Sequence, residues 1–350
     1  MPRHQPTLLL PLLAALLAAA FTASLSVAGD DDVGGGGSAR SYSIGLWGDV
    51  PYSDTQRTSG VPNLIADMNR QRLALTIHDG DIKSGGSKCT NDVYAQAEAF
   101  FNSFEAPSVY TPGDNEWTDC DRQGDSSRER LEYIREHLFD RPRSFGQRRL
   151  RLEEQEEPYV ENTRFRVGRV VYAGLHVVGS NNNLGDVAPD PAEYKARNRA
   201  TNEWMRETFE EAEESDARAV FLFAQANPGF DESDPTRAPL RDPQTLRSTD
   251  GKGNGFDEFL KTLREETVDF RRPVVLNHGD SHYMRVDKPL LDEQGRRVEN
   301  FTRVEIPGDN PQNGNNDVQW VKVNVDTRRR EVFSFEPQVV PDNRTAVPSP

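Results

Sequence analysis

Short apolar segments alternate along the chain with longer segments in which apolar residues recur every three or four positions. The short segments, rich in β-branched and aromatic residues, predict strands at 41–47, 73–78, 108–110, 173–179, 219–224 and 274–278. The longer segments predict amphipathic helices at 61–72, 91–104, 128–139, 191–212 and 256–266. Strands that alternate with helices in this way predict an α/β core.

After residue 300 the pattern changes, and strands alone are predicted, at 303–306, 318–325 and 330–335. Segments 159–162, 163–167 and 169–172 are typical of hairpin strands at a sheet edge. The highly charged segment 141–157 predicts a loop that extends outward, and 229–253 predicts a long loop. The whole pattern favours mixed sheets with helices over a helical bundle or a pure β-sandwich.

Polar side chains follow five of the predicted strands, at the point where each strand ends. They are Asp49; Asp79 and Asp81; Asn115 and Glu116; Gln225 and Asn227; and His278, Asp280 and His282. Ligands of open α/β sheets bind at the carboxyl ends of the strands. Because carboxylates, amides and imidazoles are ligands of divalent ions, the sequence predicts a metal site at these strand ends.

The order of these motifs resembles that of the calcineurin-like metallophosphoesterases. The family order is Asp-x-His, Gly-Asp, Gly-Asn-His-Asp/Glu, a single His and Gly-His-x-His. This chain has Asp49, Gly80-Asp81, Gly113-Asp114-Asn115-Glu116 and Gly279-Asp280-Ser281-His282, between about residues 42 and 290. Gly-Asp-Asn-Glu-Trp and His-Gly-Asp-Ser-His-Tyr resemble a divergent, exported subgroup. The resemblance implies a four-layer αββα sandwich of two mixed β-sheets and a metal-dependent hydrolysis of small phosphoesters.

The resemblance also implies roles for individual residues. Asp81 would bridge two metal ions, Asp49 and His282 would complete the ligands of one ion, and Asn115 would bind the other. The chain departs from the family where histidines are expected, since it has Pro51, Glu116, Gln225 or Asn227, and Asp280 there. Asp280 and Gln225 are therefore further metal-ligand candidates. Glu116, at the position of the leaving-group acid, and His278, which can replace a lost imidazole, are the catalytic candidates.

A site with fewer imidazoles and more oxygen donors favours Mg, Mn or Ca over Zn or Fe, with one or two ions bound. The lost histidines leave a second hypothesis open, a binding protein on the same fold that has weak turnover or none. A third is an exported carbohydrate or acyl hydrolase, although the chain lacks the Gly-x-Ser-x-Gly motif of acyl hydrolases. Structural alternatives also remain, because Gln225 and Asn227 are typical loop caps and His278 and His176 are typical of a buried core.

The charge balance limits the partners. The chain has 42 Lys and Arg against 57 Asp and Glu, a formal charge of −15 and a pI near 5.0. This argues against nucleic acid or an anionic membrane surface as the main partner, because both attract basic surfaces. A basic cluster at 141–151 does not reverse the sign of the whole chain. With 350 residues, the chain is long enough for one large domain or two small ones.

The N-terminal residues are typical of a secretory signal peptide, with Arg3 and His4 before an apolar stretch and small residues after it. The apolar stretch is too short for a comfortable membrane span, and no second span is predicted. We therefore expect an exported protein, periplasmic or secreted. The predicted organisation is a signal peptide at 1–28, a flexible linker at 29–40, a metallophosphoesterase-like domain at 41–337 and a loose tail at 338–350.

The two cysteines, Cys89 and Cys120, predict one disulfide. An exported protein meets oxidising conditions, and an even number of cysteines suits a single bond. The alternative is two separate buried thiols.

Overall fold

Two mixed β-sheets pack face to face, with helices on their outer surfaces, in the computed structural model of the protein. The structure describes Met1 and residues 40–232, 238–309 and 318–344. The predicted signal peptide and linker lie outside the described residues, apart from Met1 and Arg40. No helix of the described part has both the length and the apolar character that crossing a membrane requires.

The strands are β1 (Ser41–Trp47), β2 (Thr76–His78), β3 (Ser108–Tyr110), β4 (Glu153–Glu154), β5 (Thr163–Val167), β6 (Val170–Gly174), β7 (Ala219–Phe223), β8 (Val274–His278), β9 (Arg285–Asp287), β10 (Phe301–Glu305), β11 (Trp320–Asp326) and β12 (Phe333–Gln338). The helical elements are α1 (Val61–Asn69), α2 (Asn91–Asn102), α3 (Ser127–Leu138), the short turn α4 (Gly179–Asn183), α5 (Pro191–Glu214) and α6 (Asp257–Phe270). Most of them coincide with a predicted element to within a few residues.

The first sheet has five strands in the order β12-β11-β1-β2-β3. β1, β2 and β3 are parallel, with Trp47 opposite His78 and His78 opposite Tyr110. β11 and β12 extend the sheet in antiparallel pairing. The three parallel strands therefore end side by side, and the loops that follow them lie at one edge of the sheet.

The second sheet has seven strands in the order β4-β5-β6-β7-β8-β10-β9. β6, β7, β8 and β10 are parallel, and the outer strands pair antiparallel to them. The opposite faces of each strand enter different cores, as the alternation of side chains requires. In β1, Ile44 and Leu46 lie in the core between the sheets, whereas Trp47 lies in the core under α1, α2 and α3.

A third core lies between the seven-stranded sheet and the helices α5 and α6, and it includes Trp204, Phe209 and Leu260. The three cores separate four layers, helices, sheet, sheet and helices. The fold class and the αββα arrangement implied by the resemblance are confirmed.

The strand predicted at 159–162 is a turn, and only Ala173 and Gly174 of the strand predicted at 173–179 lie in a strand, β6. Two segments predicted to be loose are instead packed. Residues 141–157 do not extend outward, because Ser144 and Leu152 are buried and the segment pairs with the start of β3. The first part of the predicted loose tail is packed, since Val340 is fully buried and Asn343 donates to the Gly60 and Val318 carbonyls. Both segments are rich in polar residues, but each carries a few apolar side chains that find a partner only in the tertiary structure. Residues 345–350 lie outside the described residues.

Candidate active site

A cleft of about 370 Å³ opens where the strand ends of the two sheets meet. It is lined by Tyr52, Asp81, Gly85, Gly86, Asp114, Asn115, Asp119, Arg122, Asp280, Ser281 and His282. Four of the predicted metal ligands, from loops after three different strands, are therefore brought together. A larger groove of about 540 Å³ lies between α5 and α6, but it holds none of the candidate residues.

Asp49 is fully buried at the end of β1, directly beneath the loop that carries Asp280. Its carboxylate oxygens accept the backbone N–H of Asp280 at 3.1 and 3.2 Å. His282 Nε2 lies 3.6 Å from Asp49 Oδ1, beyond ordinary hydrogen-bond length. The structure thus places the first and last motifs of the chain against each other.

The Asp81 carboxylate is held by hydrogen bonds from Asn115, a residue of the third motif. Its Oδ1 accepts the backbone N–H of Asn115 at 3.1 Å, and its Oδ2 accepts Asn115 Nδ2 at 2.7 Å. The Tyr52 hydroxyl donates to the same Oδ2 at 2.8 Å. These bonds use the amide nitrogen of Asn115 and turn its Oδ1 toward Gly85, where a Cβ atom would lie 2.6 Å from that oxygen. An oxygen ligand is therefore presented beside the cleft.

His282 is oriented as a metal-binding histidine is. Its Nδ1–H donates to the backbone carbonyl of Asp309, which in the neutral ring leaves Nε2 as the acceptor that faces Asp49. Burial lowers the pKa of His282, but the Asp49 carboxylate and the Asp309 carbonyl outweigh burial and raise the pKa to about 9. Without a metal ion, the imidazolium is thus the counter-ion of Asp49.

The candidate ligands share an uncommon backbone conformation. The φ angles of Asp49, Asp81, Asp280 and His282 are +52°, +61°, +71° and +62°. A positive φ is rare for residues other than glycine, and such strain concentrates at functional sites. Neighbouring glycines leave the room that the carboxylates need. A Cβ at Gly279 would lie 2.0 Å from Asp49 Oδ2, and one at Gly113 would lie 2.1 Å from Asp81 Oδ1.

Negative charge accumulates in and beneath the cleft. Burial, together with repulsion from neighbouring carboxylates, raises the pKa of Asp79 and Asp81 well above the ordinary value. For the same reasons the pKa of Asp280 rises to about 8. Within the described part of the chain, Asp79 Oδ1 and Asp114 Oδ1 are buried without a hydrogen-bond partner. A divalent cation would relieve this repulsion, and the oxygen-rich donor set suits Mg, Mn or Ca.

The donor chemistry therefore fits a divalent ion, although the side chains are not yet converged on one point. In the residues that the structure describes, no group of three or more His, Cys, Asp or Glu side chains is arranged to hold a metal ion. The candidate ligands instead satisfy one another, with Asn115 and Tyr52 bonded to Asp81, and His282 beside Asp49.

Three of the predicted site residues lie behind the cleft. Glu116 is fully buried, and its Oε1 accepts the Tyr110 hydroxyl and the Gly113 N–H, both at 2.7 Å, and the Asp81 N–H at 3.2 Å. Gln225 is buried and its Oε1 accepts the Gly179 N–H at 2.6 Å. His278 is buried, with Nδ1 3.1 Å from the Gly279 carbonyl. Each of these side chains contacts a loop that carries ligands.

Sequence reasoning did not select His78, which supports two of the ligand loops. Burial lowers the pKa of His78 to about 3, so the ring is neutral, and a hydrogen bond to the Val50 backbone opposes that shift. Its Nδ1 accepts the Gly80 N–H at 3.1 Å. The sequence feature that could have identified His78 is its position at the end of β2, directly before the Asp79-Gly80-Asp81 motif.

Arg122 was also missed, and it is the exposed cation of the cleft wall. Its guanidinium donates to Asp186 Oδ1 at 2.8 Å, to Ser180 Oγ at 3.1 Å and to the Asp119 carboxylate. Nothing in the sequence marks it, because Arg122 follows the third motif in an irregular segment and meets Ser180 only through the fold.

The turn α4 has a left-handed backbone, with φ between +51° and +71° from Ser180 to Asn183. The Arg197 guanidinium holds it by donating to Asn182 Oδ1 at 2.6 Å and to the Asn182 carbonyl at 3.2 Å. The turn places Ser180 Oγ 2.9 Å from Asp114 Oδ2 and 3.0 Å from Asp119 Oδ1. The strained turn therefore holds the Ser180 hydroxyl against two carboxyl groups of the cleft wall.

The predicted disulfide between Cys89 and Cys120 is present, with the two Cα atoms 5.8 Å apart. It joins the loop after Asp81 to the 3₁₀ helix Thr118–Gln123. Gly85 and Arg122, on opposite sides of this bond, both line the cleft.

No protein-family model and no curated protein matches the sequence. Solved structures do match. A dimetal phosphatase from Danio rerio is 11% identical, with a TM-score of 0.50 over 85% of this chain and 96% of that one. A purple acid phosphatase from yellow lupin (Lupinus luteus) seeds is also 11% identical, with a TM-score of 0.50 over 88% of this chain and 53% of that one. This chain therefore spans about half of the lupin enzyme. At such identity the likeness shows the fold, and the chain has the calcineurin-like phosphoesterase fold.

Proposed function

We propose that this chain is an exported, metal-dependent hydrolase of small phosphoesters. The observation that carries the proposal is that Asp49, Asp81, Asn115 and His282 lie next to one another at the strand ends of a phosphatase fold, in the order of the family motifs. The strained backbone at three of these residues supports a functional role, because such strain concentrates at functional sites.

The chain's own donors define which residues would hold metal ions. Asp49 and His282 would bind one ion, Asn115 the other, and Asp81 would be shared between them. A bound divalent cation supplies an activated water and neutralises charge on the phosphoryl oxygens. The Tyr52 hydroxyl and the Asn115 amide orient Asp81, and the Asp309 carbonyl orients His282. These contacts fix ligand directions before substrate binds.

Arg122 is the side chain best suited to the phosphate of a substrate. It lines the cleft and 38% of its side chain is exposed, and a guanidinium binds phosphate oxygens through paired N–H donors. Its partners Asp119 and Asp186 hold the planar group at the cleft wall. Substrate phosphate would therefore meet a positive group on an otherwise acidic surface.

Glu116 belongs to the scaffold in this proposal and not to proton transfer. Its carboxylate faces the Asp81 and Gly113 N–H groups and the Tyr110 hydroxyl, and it does not line the cleft. Asp114, on the cleft side of the same motif, is the carboxyl group placed to exchange a proton with a leaving group.

A non-catalytic binding protein on the same fold is the second candidate. The observation that favours it is that the candidate ligands satisfy one another through hydrogen bonds and are not converged on an ion. Such a protein would bind a metal or a phosphate without turnover.

One assay separates the two candidates. Purified protein is stripped of metal, and aryl phosphate monoesters and diesters are offered with Mg, Mn, Ca or Zn added back. We expect turnover that requires metal and is lost in Asp81→Ala. If elemental analysis shows bound metal but turnover does not exceed that of the Asp81→Ala variant, the result supports the binding protein. If the protein neither binds metal nor turns over substrate, the result contradicts the proposed site. Export is tested separately, by comparing the full chain with one that lacks residues 1–28 in fractionated cells and medium.

A further inference from the structure

An arginine-rich ribbon, residues 141–152, lies outside the cleft and has no role in the proposed chemistry. Its two halves pair in antiparallel fashion, because Ser144 N–H donates to the Leu150 carbonyl at 2.8 Å and Leu152 N–H donates to the Pro142 carbonyl at 2.9 Å. Arg143 lies opposite Arg151 in this pairing. The two hydrogen bonds lie on either side of Arg143 and Arg151 and do not connect these two residues. Arg143 and Arg151 therefore form a non-hydrogen-bonded pair, the type in which opposite side chains come closest.

Alternation along the ribbon separates two faces. Ser144 and Leu152 are buried, and Leu150 packs against the core between the sheets. The alternate positions therefore point away from the sheets, and they carry four exposed arginines, which are Arg141, Arg143, Arg149 and Arg151. A two-stranded ribbon thus presents four guanidinium groups on one face.

The charges of this face are only partly balanced by the protein, through Asp140 beside Arg141 and through Glu98 and the Ser144 carbonyl near Arg149. Like charges directly opposite each other in an antiparallel pair are destabilising, and Arg143 and Arg151 are such a pair. Burial and repulsion from Arg143 and Arg141 lower the pKa of Arg149. Among the residues that the structure describes, Arg141 makes an ion pair, with Asp140 at 2.9 Å, and the other three make none. An anionic ligand would remove a repulsion that the fold leaves in place.

The ribbon lies at the opposite end of β3 from the cleft. Phe145 pairs with Ser108, the first residue of β3, whereas the cleft residues follow Tyr110, the last residue of that strand. A pocket of about 380 Å³ adjoins the ribbon, and its charged lining residues are Arg151, Arg164 and Arg166 together with Glu153 and Glu211. The positive surface is therefore separate from the candidate active site.

We propose that the outer face of the ribbon binds the phosphate backbone of a single-stranded phosphodiester polymer, as a secondary ligand and not as the main partner that the charge of the whole chain argues against. Guanidinium groups match phosphate oxygens through paired N–H donors, and arginines two apart on a strand recur about every 7 Å along it. A linear chain is favoured over a membrane by the charge of the whole protein. The net charge of −15 repels an extended anionic surface, which faces much of the protein at once, whereas a single strand needs to contact the ribbon alone.

The binding is expected to be weak, independent of base sequence and strongly salt-dependent. Each phosphate contact on a single strand contributes roughly 0.7 to the slope of log K against log salt. Four contacts predict a slope of about −3, and binding that is measurable near 20 mM salt is lost well before 200 mM.

The test uses the full chain and a fluorescent 20-nucleotide oligothymidylate in anisotropy titrations with EDTA present, so that a metal-dependent cleft does not contribute. Arg143→Gln/Arg151→Gln should weaken binding at 50 mM salt on the order of tenfold and reduce the slope by about 1.4. The matched control is Arg296→Gln/Arg328→Gln, which makes the same charge change at two exposed arginines that pair with Asp292 and Asp326. Thermal melts establish that both variants are folded.

Three results would overturn the proposal. They are no binding of the wild-type chain at 20 mM salt, an equal loss in the control variant, and tighter binding to phosphatidylglycerol vesicles than to the oligomer. The last result would assign the ribbon to membranes. None of these results depends on phosphoesterase activity.

Discussion

Asn115 Nδ2 donates to Asp81 Oδ2 over 2.7 Å, while the backbone N–H of the same residue donates to Asp81 Oδ1 over 3.1 Å. The two residues are 34 positions apart in the chain. They meet because β2 and β3 are parallel neighbours and end at the same level of the sheet. One residue, through its backbone and side-chain amides, therefore holds both oxygens of the carboxylate that the proposed site depends on most.

This relationship predicts different effects for two substitutions of Asn115. Asn115→Ala removes both the donor to Asp81 and a proposed oxygen ligand, and we expect manganese affinity to fall by roughly 10–100-fold. Asn115→Asp keeps an oxygen but places a second charge beside Asp81, so the metal-free protein should lose about 1–3 kcal/mol of stability. Isothermal titration with Mn²⁺ and thermal melts with and without the ion measure both effects. Equal behaviour of the two variants would contradict the ligand role of Oδ1.

Arg122→Gln tests the phosphate-binding role of the cleft wall. If the guanidinium binds substrate phosphate, KM for an aryl phosphate should rise about tenfold or more, inhibition by inorganic phosphate should weaken in parallel, and kcat should change less. Arg128→Gln is the matched control, because Arg128 is exposed and pairs with Asp190 away from the cleft. A fall in kcat with unchanged KM would show that Arg122 acts through the Asp119 wall and does not contact substrate.

Asp280→Gly should stabilise the metal-free protein and weaken metal binding. Glycine relieves the positive φ of +71° and removes a carboxyl group from a repulsive cluster. We expect a gain on the order of 1 kcal/mol in unfolding free energy in EDTA, from denaturant titration. Addition of Mn²⁺ should stabilise this variant less than it stabilises the wild type. If Asp280→Gly is less stable than the wild type in EDTA, the hydrogen bond that Asp280 accepts from the Asn227 N–H at 3.3 Å stabilises the fold more than strain and repulsion at Asp280 destabilise it.

Loss of the disulfide should affect both stability and the cleft. The bond closes a loop with a sequence separation of 31 residues, for which the loop-entropy argument predicts about 3–4 kcal/mol. Cys89→Ser/Cys120→Ser should also raise KM, because the Gly85 loop and the Arg122 helix are no longer joined. Reductant should lower the stability and raise the KM of the wild type, and it should leave both quantities unchanged in the double variant.

A buried ion pair outside the cleft sets part of the acid sensitivity. Burial raises the pKa of Glu161, but hydrogen bonds from His176 and Arg135 outweigh burial and lower the pKa to about 2. Because the folded pKa lies below the unfolded value of about 4.3, the contribution is complete above that value and is lost as pH falls toward 2. Burial lowers the pKa of His176, so its neutral ring donates a hydrogen bond to Glu161 and Arg135 is the cation of the pair. The contribution of the shifted Glu161 pKa is about 3 kcal/mol.

Glu161→Gln should therefore lose about 3–5 kcal/mol at neutral pH, because Arg135 is left buried without a counter-ion. Between pH 5 and pH 2 the stability of this variant should fall less steeply than that of the wild type. Glu265→Gln, which makes the same change in an exposed pair with Lys261, is the control and should cost less. Parallel pH profiles for Glu161→Gln and the wild type would exclude this pair as a source of acid sensitivity.

The local pattern of apolar and polar residues was sufficient to predict most of the helices and strands. β8 is observed at Val274–His278, as predicted, because a short run of β-branched residues bounded by polar ones has few other buried conformations. The strand-end positions of Asp49, Asp81, Asn115 and His282 followed from the same pattern. The resemblance to a known family, which rests on the order of the motifs, implied the αββα arrangement.

The sequence by itself determined where strands end and which polar groups follow them, because both depend on neighbours a few positions away. Only the tertiary structure decided which way those groups face. Glu116 turns inward onto the Gly113 and Asp81 N–H groups, while Arg122, which no motif marks, reaches the cleft through Ser180 on a left-handed turn 58 residues later. The direction of a side chain depends on which donors and charges the fold brings within about 3 Å, and those partners are distant in sequence.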